Sequence, residues 1–155
     1  MHNANVNSAA LCFLPTNPPT MRVPRARELT IMFRSGMLAA LEPLLVRVLP
    51  LPRVLSMLQP RSTVREPSCS APELARIADA LVRRGPRFGV GECLIRSLVR
   101  YHLLRRFAHN AVLLIGGRLD EGRFEGHCWI EIDGQSLCES NDPRGIFKTF
   151  YRFEI

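Results

Sequence analysis

Lysine is almost missing from this chain: Lys148 stands alone among 21 basic residues, and the remainder are arginine. A skew that complete fits GC-rich coding DNA as well as function, so the formal charge of +7 does not by itself designate an acidic partner. The arginines are scattered through every segment. They do not gather on one face with aromatics between them, which argues against nucleic acid as a partner. The five cysteines, Cys12, Cys69, Cys93, Cys128 and Cys138, are odd in number and include no CxxC pair, which excludes a zinc knuckle of ordinary spacing. The N-terminus lacks the charged, apolar, small-residue order of a secretory signal, so a cytoplasmic compartment with free thiols is expected. Long apolar runs are also missing. Residues 37–51 are interrupted by Glu42, Pro43, Arg47 and Pro50, too short and too charged to span a bilayer. Nothing in the pattern calls for a cofactor.

What is present is the composition of a globular chain, 46% hydrophobic and 23% charged, with room at 155 residues for one domain of modest core. Residues 1–27, rich in Asn, Thr and Pro, read as a disordered tail. Residues 28–69 read as a helical N-terminal segment and connector. Their apolar positions, from Leu29 and Phe33 to Leu45 and Val48, have helical spacing broken near Pro43 and Pro50. Residues 70–155 read as the core. Ser70 opens a helix, with Glu73 three residues on completing the capping-box pattern, and Leu74, Ile77, Ala78 and Leu81 define its buried face. That helix should stop at Arg83-Arg84-Gly85-Pro86. A second helix is predicted over about 92–107, turning Leu94, Ile95, Leu98, Tyr101 and His102 inward. Beyond it the period changes. Residues 111–115 suit a buried strand ending at Gly116-Gly117, and 124–132 and 135–139 flank Asp133-Gly134, a hairpin signal. Residues 146–153 form a last strand or an aromatic-rich tail. Helices first and antiparallel strands after them define an α+β domain.

The chemistry is carried by three residues. Cys93 lies in the first turn of the second helix, where the positive end of the helix dipole and unpaired amides favour the reactive thiolate. His127 opens a later strand, the arrangement that Cys–His nucleophilic catalysis requires. The third is reached through the hairpin. A three-residue loop of Ile132, Asp133 and Gly134 would pair Glu131 with Gln135, Trp129 with Leu137 and His127 with Glu139, putting the Glu139 carboxylate behind the imidazole. A two-residue type I′ turn at Asp133-Gly134 is the competing register; it sets Glu139 opposite Cys128, on the wrong face. Asp133, six residues from His127 and so roughly 20 Å along a strand, is a turn former. Glu131 is the weaker rival for the third role. His127, Cys128 and Cys138 do not make a metal site, because adjacent strand residues point to opposite faces. Cys128 is expected only to fill the face opposite His127, Arg96 and Ser97 to brace the helix, and Trp129 to shield the His–Glu pair.

The stretches Gly91-Glu-Cys-Leu-Ile-Arg-Ser-Leu98, Tyr101-His-Leu-Leu-Arg-Arg106, Val112-Leu-Leu-Ile-Gly116 and His127-Cys-Trp-Ile-Glu-Ile-Asp-Gly134 resemble the leader peptidases of lasso-peptide biosynthesis, which are transglutaminase-like, papain-like cysteine hydrolases. The resemblance covers about residues 70–155 well and 28–58 loosely. It implies a transglutaminase-like core in which Cys93 is the nucleophile, His127 the base and Glu139, twelve positions on, the orienting acid. Cys128 departs from the Ala usual in that family. The resemblance further implies release of a leader from a ribosomally made precursor peptide, with a separate leader-binding protein and an asparagine-synthetase-like lasso cyclase as partners. An acyltransferase or transamidase working through the same thioester, or a non-catalytic binding module of the same fold, are the rival readings.

Overall fold

The computed structural model of the chain describes residues 30, 33, 36, 37, 40, 41, 44–60, 69–84 and 91–154. The tail expected over residues 1–27, the middle of the connector and the loop after Arg84 lie outside the described residues. Every described residue from Thr30 to Val48 is helical. Three helices then follow, α1 (Leu51–Leu58), α2 (Ala71–Arg84) and α3 (Glu92–Arg106), and after them the strands β1 (Ala111–Asp120), β2 (Arg123–Ile132), β3 (Gln135–Ser136) and β4 (Lys148–Phe153). The α+β organisation expected from the change of period is therefore present.

The helix starts differ in what their sequences supply at the first turn. At α2 the Ser70 N–H and hydroxyl both donate to the Glu73 carboxylate, at 2.7 and 2.8 Å, and these bonds hold that carboxyl below its ordinary range. At α1, Pro50 O accepts from Arg53 and Val54 N–H, while Pro52 has no amide to satisfy. At α3, Gly91 O accepts from Leu94 and Ile95 N–H. The buried faces then meet. Val54, Leu55 and Leu58 of α1, Leu74, Ala75 and Ala78 of α2, and Ile95, Leu98, Leu103 and Leu104 of α3 share one core with Leu113 and Ile130 of the sheet. Burying each large side chain contributes about 1.5–3 kcal/mol. Residues 51–58, set apart in the sequence reading as part of an N-terminal segment, thus share the core of residues 71–153.

The sheet is antiparallel with order β3-β2-β1-β4. Its first hairpin was not expected. β1 does not stop at Gly116-Gly117 but continues to Asp120, pairs with β2 from Ala111↔Ile132 to Asp120↔Arg123, and turns at Glu121-Gly122, φ 47° and 80°. Gly116 persists inside the strand because a Cβ there would lie 3.0 Å from the Trp129 ring and from Lys148 O. β4 closes the far edge against β1, with a register shift between Ile115 and Gly116.

The second hairpin corrects the expected register. Glu131 pairs with Ser136 and Ile132 with Gln135, and Leu137 N–H donates to Ile130 O at 2.8 Å. Asp133 and Gly134 both have positive φ, 51° and 75°. This is the two-residue type I′ turn, whose twist matches that of the strands it joins, and not the three-residue loop. β3 ends after two residues.

Candidate functional site

Because β3 stops early, β2 has an unpartnered stretch of edge beside residues 127–129, and the head of α3 occupies it. The Ser97 hydroxyl, one turn into α3, donates to Cys128 O at 2.8 Å, a bond that fastens the helix to the strand where β3 no longer does. Ser97 therefore braces α3, as expected. Cys93 sits at the start of the same helix with its sulfur turned toward β2. The hydrogen bond from the Cys128 thiol is the largest influence on that sulfur. Burial opposes it; the charge of His127 and the N–H groups of Cys128 and Leu94 reinforce it. The result is a Cys93 thiol brought down to about 5. The Cys128 thiol is pushed upward by the same contact and by its own burial. Of the two sulfurs the partly exposed one at a helix N-terminus carries the charge, and the one in the strand, 6% exposed, keeps the proton. Cys128 does lie on the face opposite His127, but it meets the Cys93 sulfur, a contact that the sequence reading did not foresee.

His127 lies on the other face of β2. Its ring stacks between two aromatics: the Trp129 centroid is 6.1 Å away at 14° and the Phe147 centroid 5.1 Å away at 26°. Trp129 is fully buried and covers the imidazole, the shielding role expected of it. The Phe147 cover was not anticipated; nothing local in Gly145-Ile-Phe-Lys148 marks it, because the contact depends on how the chain returns from the 3₁₀ turn Pro143–Gly145.

Glu139 reaches His127 although its register is wrong for direct pairing. Cys138 adopts φ 56°, a left-handed conformation that breaks the extended strand backbone just before Glu139. Glu139 Oε2 then accepts from His127 Nε2 at 3.0 Å, with Glu139 91% buried as a side chain. A carboxylate only accepts, so Nε2 carries the proton and Nδ1 is left with its lone pair. Glu131 takes no part. Its buried carboxylate accepts from the Trp129 indole at 3.3 Å and faces Arg152 at 3.6 Å. Asp133 is at the tip of the hairpin.

A second residue of the site, Arg100, was also not anticipated. Arg100 is 2% exposed, two turns along α3 from Cys93, and its guanidinium forks onto Asp79 of α2 through two bonds of 2.9 Å. Its remaining nitrogen donates to Leu137 O at 3.4 Å and to Glu139 Oε1 at 3.5 Å. Glu139 is thus held on one oxygen by Arg100 and on the other by His127. Cys138 is disulfide-bonded, so the expectation of free thiols fails at that position. Among the described residues no group of three His, Cys, Asp or Glu side chains is placed to hold a metal ion, and no helix is long and apolar enough to cross a membrane.

A thiol lowered to about 5 at a helix head, within reach of the charge of an imidazole that a buried carboxylate orients, is suited to Cys–His nucleophilic chemistry. The family comparison agrees: the model of the Transglutaminase-like superfamily matches residues 38–152, and the chain belongs to that family. Comparison with curated proteins and with solved structures gave no match.

Proposed function

We propose that this protein is a cysteine peptidase in which Cys93 is the nucleophile, His127 the general base and then acid, and Glu139 the group that fixes the imidazole. The observations that carry the reading are the lowered thiol of Cys93 at the head of α3, on which the charge of His127 acts, and the 3.0 Å bond between His127 and the buried Glu139 carboxylate. The Cys93 thiolate attacks a scissile carbonyl, and the Cys93 backbone N–H, in the first turn of α3, stabilises the oxyanion. His127, which takes the Cys93 proton on Nδ1 as the thiolate forms, gives it to the leaving amine, and the thioester is then hydrolysed by water that His127 deprotonates. The resemblance of Gly91–Leu98 and His127–Gly134 to lasso-peptide leader peptidases supports a ribosomally made precursor as the substrate, delivered by a leader-binding protein and passed on to an asparagine-synthetase-like cyclase in the cytoplasm. Transfer of the acyl group to an amine is the second reading, because the same thioester serves both.

The test is leader release from a synthetic precursor peptide supplied with its leader-binding protein, followed by mass spectrometry. Cys93→Ala is expected to lower cleavage by at least about 10³-fold while the folded spectrum is retained. Added primary amines that turn up as conjugates in place of the free acid would establish the transferase instead. Independently of substrate, the pH dependence of Cys93 alkylation by iodoacetamide follows the thiolate. The rate is expected to fall as pH drops through about 5 and to be flat at neutral pH. A rate that instead climbs steadily toward pH 9 overturns the activated-thiolate assignment.

A further inference from the structure

Cys93 and Cys128 both carry free thiols, and they are hydrogen-bonded to each other where the head of α3 meets the edge of β2 and the Ser97 hydroxyl donates to Cys128 O at 2.8 Å. Their surroundings differ in a way that assigns them different roles. Cys93 is partly exposed, whereas Cys128 is only 6% exposed. Both backbones are anchored close by: the Ser97–Cys128 bond clamps helix to strand one turn from the sulfurs. A partly exposed thiolate backed by a protected second thiol is what a reversible oxidation site needs.

We propose that Cys93 and Cys128 close into an intramolecular disulfide when a peroxide oxidises Cys93, so that the site is locked reversibly and its nucleophile is spared over-oxidation. In the first step the Cys93 sulfur attacks one oxygen of hydrogen peroxide. The O–O bond breaks, leaving a sulfenic acid on Cys93 and one water. In the second, the Cys128 sulfur attacks the Cys93 sulfur, the S–O bond breaks, and the Cys128 proton leaves with the oxygen as the second water. Two thiols have been oxidised and one peroxide reduced, and a dithiol reverses the change. The inference goes beyond the peptidase reading and does not need it, because the chemistry is read on the sulfurs.

The experiment treats the reduced full-length chain with hydrogen peroxide, in the presence and absence of dimedone, then alkylates with N-ethylmaleimide, digests and maps the peptides. The expected result in the native chain is a Cys93–Cys128 linked peptide, with loss of N-ethylmaleimide label from both residues and its return after dithiothreitol. In Cys128→Ser and in Cys128→Ala, the dimedone adduct on Cys93 should persist and, without dimedone, a sulfinic acid that dithiothreitol does not reverse should form. Two variants are used so that a packing defect in one does not decide the matter. A native chain whose Cys93 is trapped by dimedone while Cys128 still takes N-ethylmaleimide overturns the proposal, as does a link from Cys93 to any other cysteine. Both results are read on the sulfurs, so they stand whether or not the chain cleaves a precursor peptide.

Discussion

The two hairpins that share β2 are closed by the same kind of turn yet end differently. Glu121-Gly122 and Asp133-Gly134 both place two consecutive residues at positive φ, but the first hairpin keeps its ladder from one end of β1 to the other, while the second abandons pairing after Ser136. The first is scaffold, its glycines yielding space to the Trp129 and Phe124 rings. The second supplies the site. Where its ladder stops, the Cys128 amide turns to the Cys93 sulfur, the Cys128 carbonyl takes the Ser97 hydroxyl, and the chain turns at Cys138 to bring Glu139 to His127. Pairing that ends early thus leaves backbone groups and a bend at the place where chemistry needs donors and a carboxylate.

The contrast can be broken most sharply at its functional end. Glu139→Gln keeps the shape of the side chain but lets its amide present a donor to Nε2, so the tautomer is no longer fixed. Cleavage of the precursor peptide is expected to fall by about 10²–10⁴-fold. Retention of full activity in that variant would reduce the bend at Cys138 to an ordinary loop. Arg100→Met comes next. It leaves the carboxylates of Asp79 and Glu139 without the guanidinium that both face, and breaking a buried ion cluster from one side costs about 3–5 kcal/mol, read as a lower urea midpoint. Arg100→Lys should recover only part of the loss, since an ammonium cannot reproduce the fork onto Asp79. The smallest effect belongs to the scaffold hairpin. Glu121 occupies a left-handed position that Asn adopts more readily, so Glu121→Asn should raise stability by about 0.5–1 kcal/mol in thermal unfolding and leave Cys93 alkylation unchanged.

How far these features were legible depends on the range of the interactions behind them. The Ser70–Glu73 cap, the position of Cys93 at the head of a helix and the turn at Asp133-Gly134 are local and could be read from neighbouring residues. The register was not. Two turn types fit the same dipeptide, and the choice between them is made by pairing further along the strands. Glu139 was assigned through the three-residue loop, and that geometry is not the one adopted; the twelve-residue spacing from His127 survives because the left-handed Cys138 brings the side chain round by another route. Gly116-Gly117 looked like a strand end because glycine weakens strands. Its tolerance inside β1 comes from the indole of Trp129, placed there by the hairpin. Nothing local marks Arg100 among the scattered arginines, because its burial depends on Asp79 of α2 and on residues 137–139.

Taken alone, the sequence determined what short-range physics controls: which stretches are helix, where their first turns are capped, which residue lies at the positive end of α3, and that strands come last. Only the tertiary structure decided the rest: how far β3 pairs, which sulfur faces which, that Arg100 steadies Glu139, and what covers His127. Each of those depends on groups far apart in the chain, and their positions follow from how the core packs, which no local run of residues encodes.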